Sequence, residues 1–338
     1  MSVVKANTYQ DATGGSNAVF SGVASPPNGM GFRSRIINGG MAVDQRNAGA
    51  SVTAPSGNTY SVDRWLVQTS QASKLSFQRN AGSVTPPAGF QNYLGITSSS
   101  AYSVAAGDYF NLQQRIEGFN VADLGFGTAS AQAITVSFWV RSSLTGTFGA
   151  SVRSFAAVRT YPFTYTISSA NTWEQKTVTI PGDTNAGWLT DNGIGMVLLF
   201  GLGYGATYGS GTAGAWTSST SAEVPTGSVS VVGTNGATFY ITGVQLEAGT
   251  VASPFERRDY GRELMMCQRY FENNGSGWFT TSSNYGVQVY FRTTKRATPT
   301  ISVSSGTVSG SNYIGTNSFR MDTQGPLDVT SWSASSEL

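Results

Sequence analysis

The chain has 338 residues, enough for two or three domains and a sizeable core, with charged residues at only 11% and 41 glycines. A hydrophobic content of 39%, with 12% of all residues aromatic, excludes a disordered chain, and a formal net charge of +2 speaks against nucleic acid, whose binders neutralise phosphates with clustered cations. Histidine is absent, which removes Ser-His-Asp triads and His-rich zinc sites from consideration.

Residues 1–35 mix small polar side chains with isolated apolar ones and show no sustained period, so this segment is expected to be extended and to order by docking onto a partner. It lacks the apolar run of a secretory signal, and the one cysteine, Cys267, agrees with a reducing compartment. No run of apolar residues approaches the roughly 20 that a bilayer-spanning helix needs. From residue 36 to about 250 short alternating segments separated by turn residues predict an all-β sandwich. Ile134, Val136, Phe138 and Val140 share one face, with Thr135, Ser137, Trp139 and Arg141 on the other. Tyr161, Phe163, Tyr165 and Ile167 alternate too, and Pro162 assigns that strand to a sheet edge. Val178 and Ile180 close a strand before the Pro181-Gly182-Asp183 turn. Residues 194–202 are apolar on both faces and predict a central strand. Asn235-Gly236, between 228–232 and 239–246, predicts a hairpin.

Charge concentrates in FERRDYGRELMMCQRYFE (255–272), the one good helix. Tyr260, Leu264, Cys267 and Phe271 recur at helical spacing as a single apolar stripe. Ser253-Pro254-Phe255-Glu256 fits a capping box, and Gly261 argues for a later start. The stripe serves either to pack a connector (251–273) on its own sandwich or to meet copies of itself on the axis of an oligomer. Val287, Val289, Phe291, Ile301 and Val303 alternate with polar neighbours and predict a second, smaller β domain over 274–338.

Five stretches carry a resemblance: INGGMAVDQRN (37–47), TYSVDRW (59–65), SFWVRSSLTGTF (137–148), ANTWEQKTVTIPGD (170–183) and FYITGVQLEAGTVASPFERRDYGRELMMCQRYFE (239–272). In this order they resemble tail-fibre and related appendage proteins of bacteriophages. Residues 37–246 also resemble the jelly roll of carbohydrate-binding modules, whose first strand enters through an Asn-Gly-Gly type turn. The passage from FYITGVQLE into YGRELMMCQRYFE is the most particular of these features. The resemblance implies a jelly-roll β-sandwich, a homotrimeric virion protein assembled in the host cytoplasm, and docking on other virion proteins through residues 1–35. It further implies glycan binding at the host surface. In such jelly rolls the closing strand carries an Asp that helps to hold a structural calcium. Thr242 stands there instead, so no metal and no cofactor are expected.

Sugar recognition uses aromatic platforms, because Trp and Tyr present flat apolar faces with a polar edge. Trp139, facing away from the apolar stripe of its strand, and Tyr204, Tyr208 and Trp216, in the stretch GLGYGATYGSGTAGAW read as a loop, are the candidates. Tyr260, Leu264, Cys267 and Phe271 are the candidate oligomer contacts. Cleavage of a glycan needs two carboxylates about 5 to 9.5 Å apart. Glu174, Asp183, Asp191, Glu223 and Glu247 are scattered without a spacing that singles out a pair, and an enzyme is not expected. Three functions stay open: a glycan-binding tail-fibre-like appendage, a capsid decoration or head-fibre protein with a mechanical role, and a glycan depolymerase.

Overall fold

Side-chain alternation with a period of two gives each strand an apolar face, and two sheets bury these faces against each other. The computed structural model describes residues 33–338 apart from 157, 186, 220, 275–278, 282–286, 305–307, 324–326 and 330, so the docking segment expected over 1–35 lies almost wholly outside the described residues. Twelve strands come first: β1 (Val52–Thr53), β2 (Gly57–Tyr60), β3 (Leu66–Thr69), β4 (Leu75–Arg79), β5 (Leu94–Ser98), β6 (Tyr109–Glu117), β7 (Ile134–Ser142), β8 (Gly146–Arg153), β9 (Thr160–Ile167), β10 (Glu174–Ile180), β11 (Ile194–Tyr204) and β12 (Thr238–Ala248). They make two antiparallel six-stranded sheets, ordered β1-β4-β5-β12-β7-β10 and β2-β3-β6-β11-β8-β9. The chain passes repeatedly from one sheet to the other, giving a β-sandwich jelly roll.

Ile134, Val136, Phe138 and Val140 of β7 are fully buried and meet Phe110, Leu112, Phe148, Val152, Leu198 and Phe200 of the opposite sheet. Phe138 and Phe200 touch across the sandwich at 5.0 Å between ring centroids, and Phe148 and Phe239 at 6.2 Å. β9, with Pro162, pairs with β8 alone and forms a sheet edge, and β11 lies between β6 and β8, both as the sequence predicts.

The Asn235-Gly236 hairpin does not form. Residues 228–232 are not a strand; Val229 donates its amide to Thr147 and Val232 to Leu202, in the second sheet, while β12 pairs with β5 and β7 in the first. Burial of Val231 and Val232 where the chain crosses between sheets outweighs the local turn preference. The Asn-Gly-Gly entry works through its side chain. Asn38, at φ 57°, donates from Nδ2 to the carbonyls of Val43 (2.8 Å) and Asp63 (2.9 Å) and accepts the Val43 amide at Oδ1 (3.0 Å). Gly39 follows because a Cβ there would lie 2.1 Å from the Val244 carbonyl oxygen.

The helix, α1 (Tyr260–Gln268), is shorter than its apolar stripe. Asp259, not Ser253, caps it, accepting the Arg262 amide at 2.9 Å, while Ser253 donates its amide to Glu247. Phe271 is not on the helix: it opens β13 (Phe271–Asn273), buried beneath the Arg46 guanidinium, 3.6 Å from its ring centroid. Cys267 and half-buried Leu264 pack on Ile37, Val43 and Tyr270 of the same chain, and Tyr260 is exposed. Leu264 and Cys267 of the stripe therefore pack within this chain, and Tyr260 faces outward.

β13 is followed by β14 (Phe279–Thr281), β15 (Val287–Tyr290), β16 (Thr300–Ser304), β17 (Val308–Asn312), β18 (Ser318–Thr323), β19 (Leu327–Val329) and β20 (Ser331–Ser335), which form sheets β13-β20-β16, β14-β19 and β15-β18-β17. Val289, Phe319, Met321, Trp332 and Ala334 make a small core there. Polar ties join these strands to the sandwich. Glu117, 1% exposed at the end of β6, accepts from Arg269 Nη2 (2.6 Å) and the Tyr270 hydroxyl (2.7 Å), and buried Arg64 pairs with Glu337. Gln45 and Asn273 exchange further bonds with the backbone of the other side. Ser34–Leu338 is one compact unit.

Candidate functional site

Strand β6 reads YFNLQQRIE, and its alternation sends Phe110 and Leu112 into the core and Asn111, Gln113 and Arg115 to the outer face of the second sheet. Register extends this face across three strands. Arg115 and Arg153 both pair with Val197 of β11, and Gln113 and Ser151 both pair with Leu199. The Gly-rich stretch after β11 then folds back over part of the face. Gly205 permits the reversal, since a Cβ there would lie 1.9 Å from the Ala105 carbonyl oxygen. Glu223 donates its amide to the Tyr208 carbonyl (2.9 Å), and Val224 packs on Val197 and Leu199.

The loop and sheet enclose a cleft of about 230 Å³. Gln68, Gln113 and Val197 line it from the sheet, Tyr109, Tyr208 and Phe155 add aromatic surface, and Arg115, Arg153 and Glu223 supply charge. Tyr109 and Tyr208 meet edge to face at 5.6 Å, and Phe155 is 54% exposed with the Arg115 guanidinium 5.6 Å from its ring centroid. Gln113, 4% exposed, stands in the wall of the cleft.

The structure brings two of the four aromatic candidates to this place. Tyr208 lines the cleft. Tyr204, at the end of β11 rather than in a loop, stands behind it: its hydroxyl donates to Glu223 (2.9 Å) and accepts from Asn111 (2.8 Å). Burial, with the Glu223 carboxylate adjacent, pushes the Tyr204 phenol well above its ordinary pKa, so it is a fixed donor that holds Glu223, which in turn pairs with Arg153. Trp216 belongs to an aromatic cluster with Phe126, Tyr161 and Trp188, at 5.9, 5.2 and 5.5 Å, and donates to the Pro181 carbonyl (2.8 Å). Trp139 is half-buried on the other sheet, beside Phe90, at a point where Gly243 has no room for a side chain.

The scattered carboxylates have structural partners. Asp183 pairs with Arg159, Glu174 with Lys176, and Glu247 accepts from Gln245 and the Ser253 amide, while Asp191 accepts the Gly193 amide. Among the described residues Glu223 is the one carboxylate that lines the cleft. Thr242, at the position of the calcium-holding Asp of the resembling jelly rolls, donates its hydroxyl to the Asn92 carbonyl (2.7 Å), and among the described residues no three Asp, Glu, His or Cys gather.

Sequence reasoning missed Gln68, Tyr109, Gln113, Arg115 and Arg153. The outward set Asn111, Gln113 and Arg115 was visible as alternation in β6, but its meeting with Arg153 depends on the order β6-β11-β8.

The class defined by these features is a jelly-roll β-sandwich with a polar, aromatic-edged cleft on one outer face. No protein-family model and no curated protein matches the sequence. Among solved structures, the chain is similar to the enzymatically active domain of tailspike protein 4 of bacteriophage CBA120, with 13% identity and a TM-score of 0.35 over 64% of this chain and 21% of that one. The chain thus spans about a fifth of that protein's length. It is also similar to the module TmCBM61 in complex with beta-1,4-galactotriose (10% identity, TM-score 0.32, 64% of this chain and 99% of that one). A third is the family 11 carbohydrate-binding module from Clostridium thermocellum in complex with a beta-1,3-1,4-mixed-linked tetrasaccharide (12% identity, TM-score 0.30, 60% and 98%).

Proposed function

We propose that this chain is a virion appendage protein that binds a host-surface glycan in the cleft across β3, β6, β11 and β8. The observation that carries the binding reading is the lining of the cleft, where Gln68 and Gln113 stand beside the edge-to-face Tyr109–Tyr208 pair. Sugars offer hydroxyls in both hydrogen-bonding senses, and the Tyr109–Tyr208 pair and Phe155 offer apolar surface for a pyranose face. The virion reading is supported by the ordered phage-like stretches, above all the passage from β12 into α1, with residues 1–35 as the docking segment and 274–338 as a terminal β domain.

Adsorption of the purified chain to an array of bacterial surface polysaccharides tests the binding. Tyr208→Ala and Gln113→Ala are expected to weaken it about tenfold with unchanged thermal midpoint, and Trp139→Ala is expected to leave it intact. Binding that survives both cleft variants overturns the assignment of the site. Electron microscopy of labelled particles tests placement: label at the tail is expected, and label over the capsid lattice refutes it.

A further inference from the structure

We infer that the glycan taken by this cleft is an acidic one, its sugar carboxylate held between Arg115 and Arg153; this rests on the glycan-binding reading above. The two arginines are register partners of the same residue, Val197, one from each neighbouring strand. Their side chains consequently leave the same face of the sheet, separated at the backbone by two interstrand spacings, about 9–10 Å. Both line the cleft, against a single carboxylate.

That carboxylate, Glu223, is committed to Arg153 and to the Tyr204 hydroxyl. Among the described residues no Asp or Glu side chain pairs with Arg115. Its Nη1 donates to an oxygen of the terminal Leu338 carboxyl group (2.7 Å), its carbonyl oxygen accepts from Arg64, and its Nε is buried without a partner, as is Nε of Arg153. Burial lowers the Arg115 pKa, Arg153 and Arg64 act in the same direction, and Tyr60 and Glu337 oppose it. Two guanidiniums on one cleft that holds a single carboxylate are suited to a planar anion that accepts two parallel bonds. Gln68 and Gln113 remain beside it for hydroxyls, so one ring bearing both a carboxylate and hydroxyls uses the whole lining. A neutral sugar leaves the row Arg115–Val197–Arg153 unused.

The test compares each acidic polymer with its own carboxyl-reduced form, using polygalacturonate, alginate, hyaluronan and polysialic acid, with a sulfated neutral galactan as a separate arm. Binding of at least one acidic member, lost about ten- to a hundredfold on carboxyl reduction and weakened by added salt, is the expected result. Arg115→Gln should remove that preference, whereas Arg115→Lys, which keeps the charge and loses the fork, should retain only part of it. Thermal unfolding of each variant distinguishes a lost contact from a lost fold, and carboxyl reduction needs no variant at all. Equal binding of acidic and reduced forms, or binding confined to the sulfated polymer, overturns the carboxylate assignment and leaves glycan binding standing. Binding of no glycan in either form overturns both.

Discussion

Asp183 offers a quantitative test of how the loops beside β10 are held. Its carboxylate, 2% exposed, accepts from Arg159 Nε (2.8 Å) and Nη2 (2.7 Å), Trp188 Nε1 (3.0 Å) and Asn185 Nδ2 (3.1 Å). Asp183→Ala leaves Arg159 charged and 9% exposed without its counter-ion, and leaves the Trp188 indole without an acceptor. Removing one member of a buried pair costs about 3–5 kcal/mol. Arg159 keeps a bond to Ser218 (2.8 Å), which places the expected loss near the lower end, about 3 kcal/mol. The pH dependence follows from the same contacts. Burial alone would raise the carboxyl pKa, but the bonds from Arg159, Asn185 and Trp188 outweigh it and hold the group down from 3.8 to about 2. The folded state therefore binds this proton more weakly than the unfolded chain. The stabilisation is complete above about pH 4 and is lost as pH falls toward 2, roughly 2 kcal/mol in all. Urea unfolding of wild type and variant at neutral pH and through the acid range measures both quantities. A variant within about 0.5 kcal/mol of wild type at neutral pH, as for an ordinary surface turn, would refute the reasoning. So would a gap that stays constant between pH 4 and 2.

Three further outcomes are expected. Asn38→Ala leaves the carbonyls of Val43 and Asp63 and the Val43 amide without their partners and should destabilise by about 3 kcal/mol in the same assay. Lys295→Met leaves Glu272, 1% exposed, with only the Arg292 amide (3.1 Å) and guanidinium (3.9 Å) and should cost about 3 kcal/mol, while the Lys295→Met/Glu272→Leu double variant recovers at least half of that; additive losses would contradict a buried pair. Burial, with Asp63 and Glu263 adjacent, raises the Cys267 thiol pKa well above its ordinary value, so a disulfide reagent should label it only after denaturation, and rapid labelling of the folded chain would show the helix packing to be wrong.

Where one face of a strand meets the core, its sequence carried the answer. Ile134, Val136, Phe138 and Val140 alternate because β7 has a wet side, and the unbroken run of β11 reflects cover on both sides, from the core and from Val224. Local signals were overridden where distant partners compete. Asn235-Gly236 is a good hairpin turn, but β12 finds its partners in β5 and β7, and Phe271 continues a helical period yet pairs with Ser335 in a sheet. The cleft was less legible still. An outward Trp looks the same in sequence whether it meets ligand or Phe126 and Trp188, as Trp216 does, and nothing local to Arg115 or Arg153 announces that Val197 separates them. Tyr208 was found because an aromatic in a Gly-rich stretch beside a central strand has few places to go.

The ties between the sandwich and the strands after the helix limit how this molecule could be recombined. A graft of the jelly roll onto another carrier, cut at residue 250, would strip Glu117 of Arg269 and Tyr270 and deprive Arg64 of Glu337, while uncovering Ile37 and Val43. The sandwich would carry uncompensated charges at the very seam where it had been severed. The piece that keeps these pairs on transfer is accordingly 34–338, with the cut ahead of Ser34.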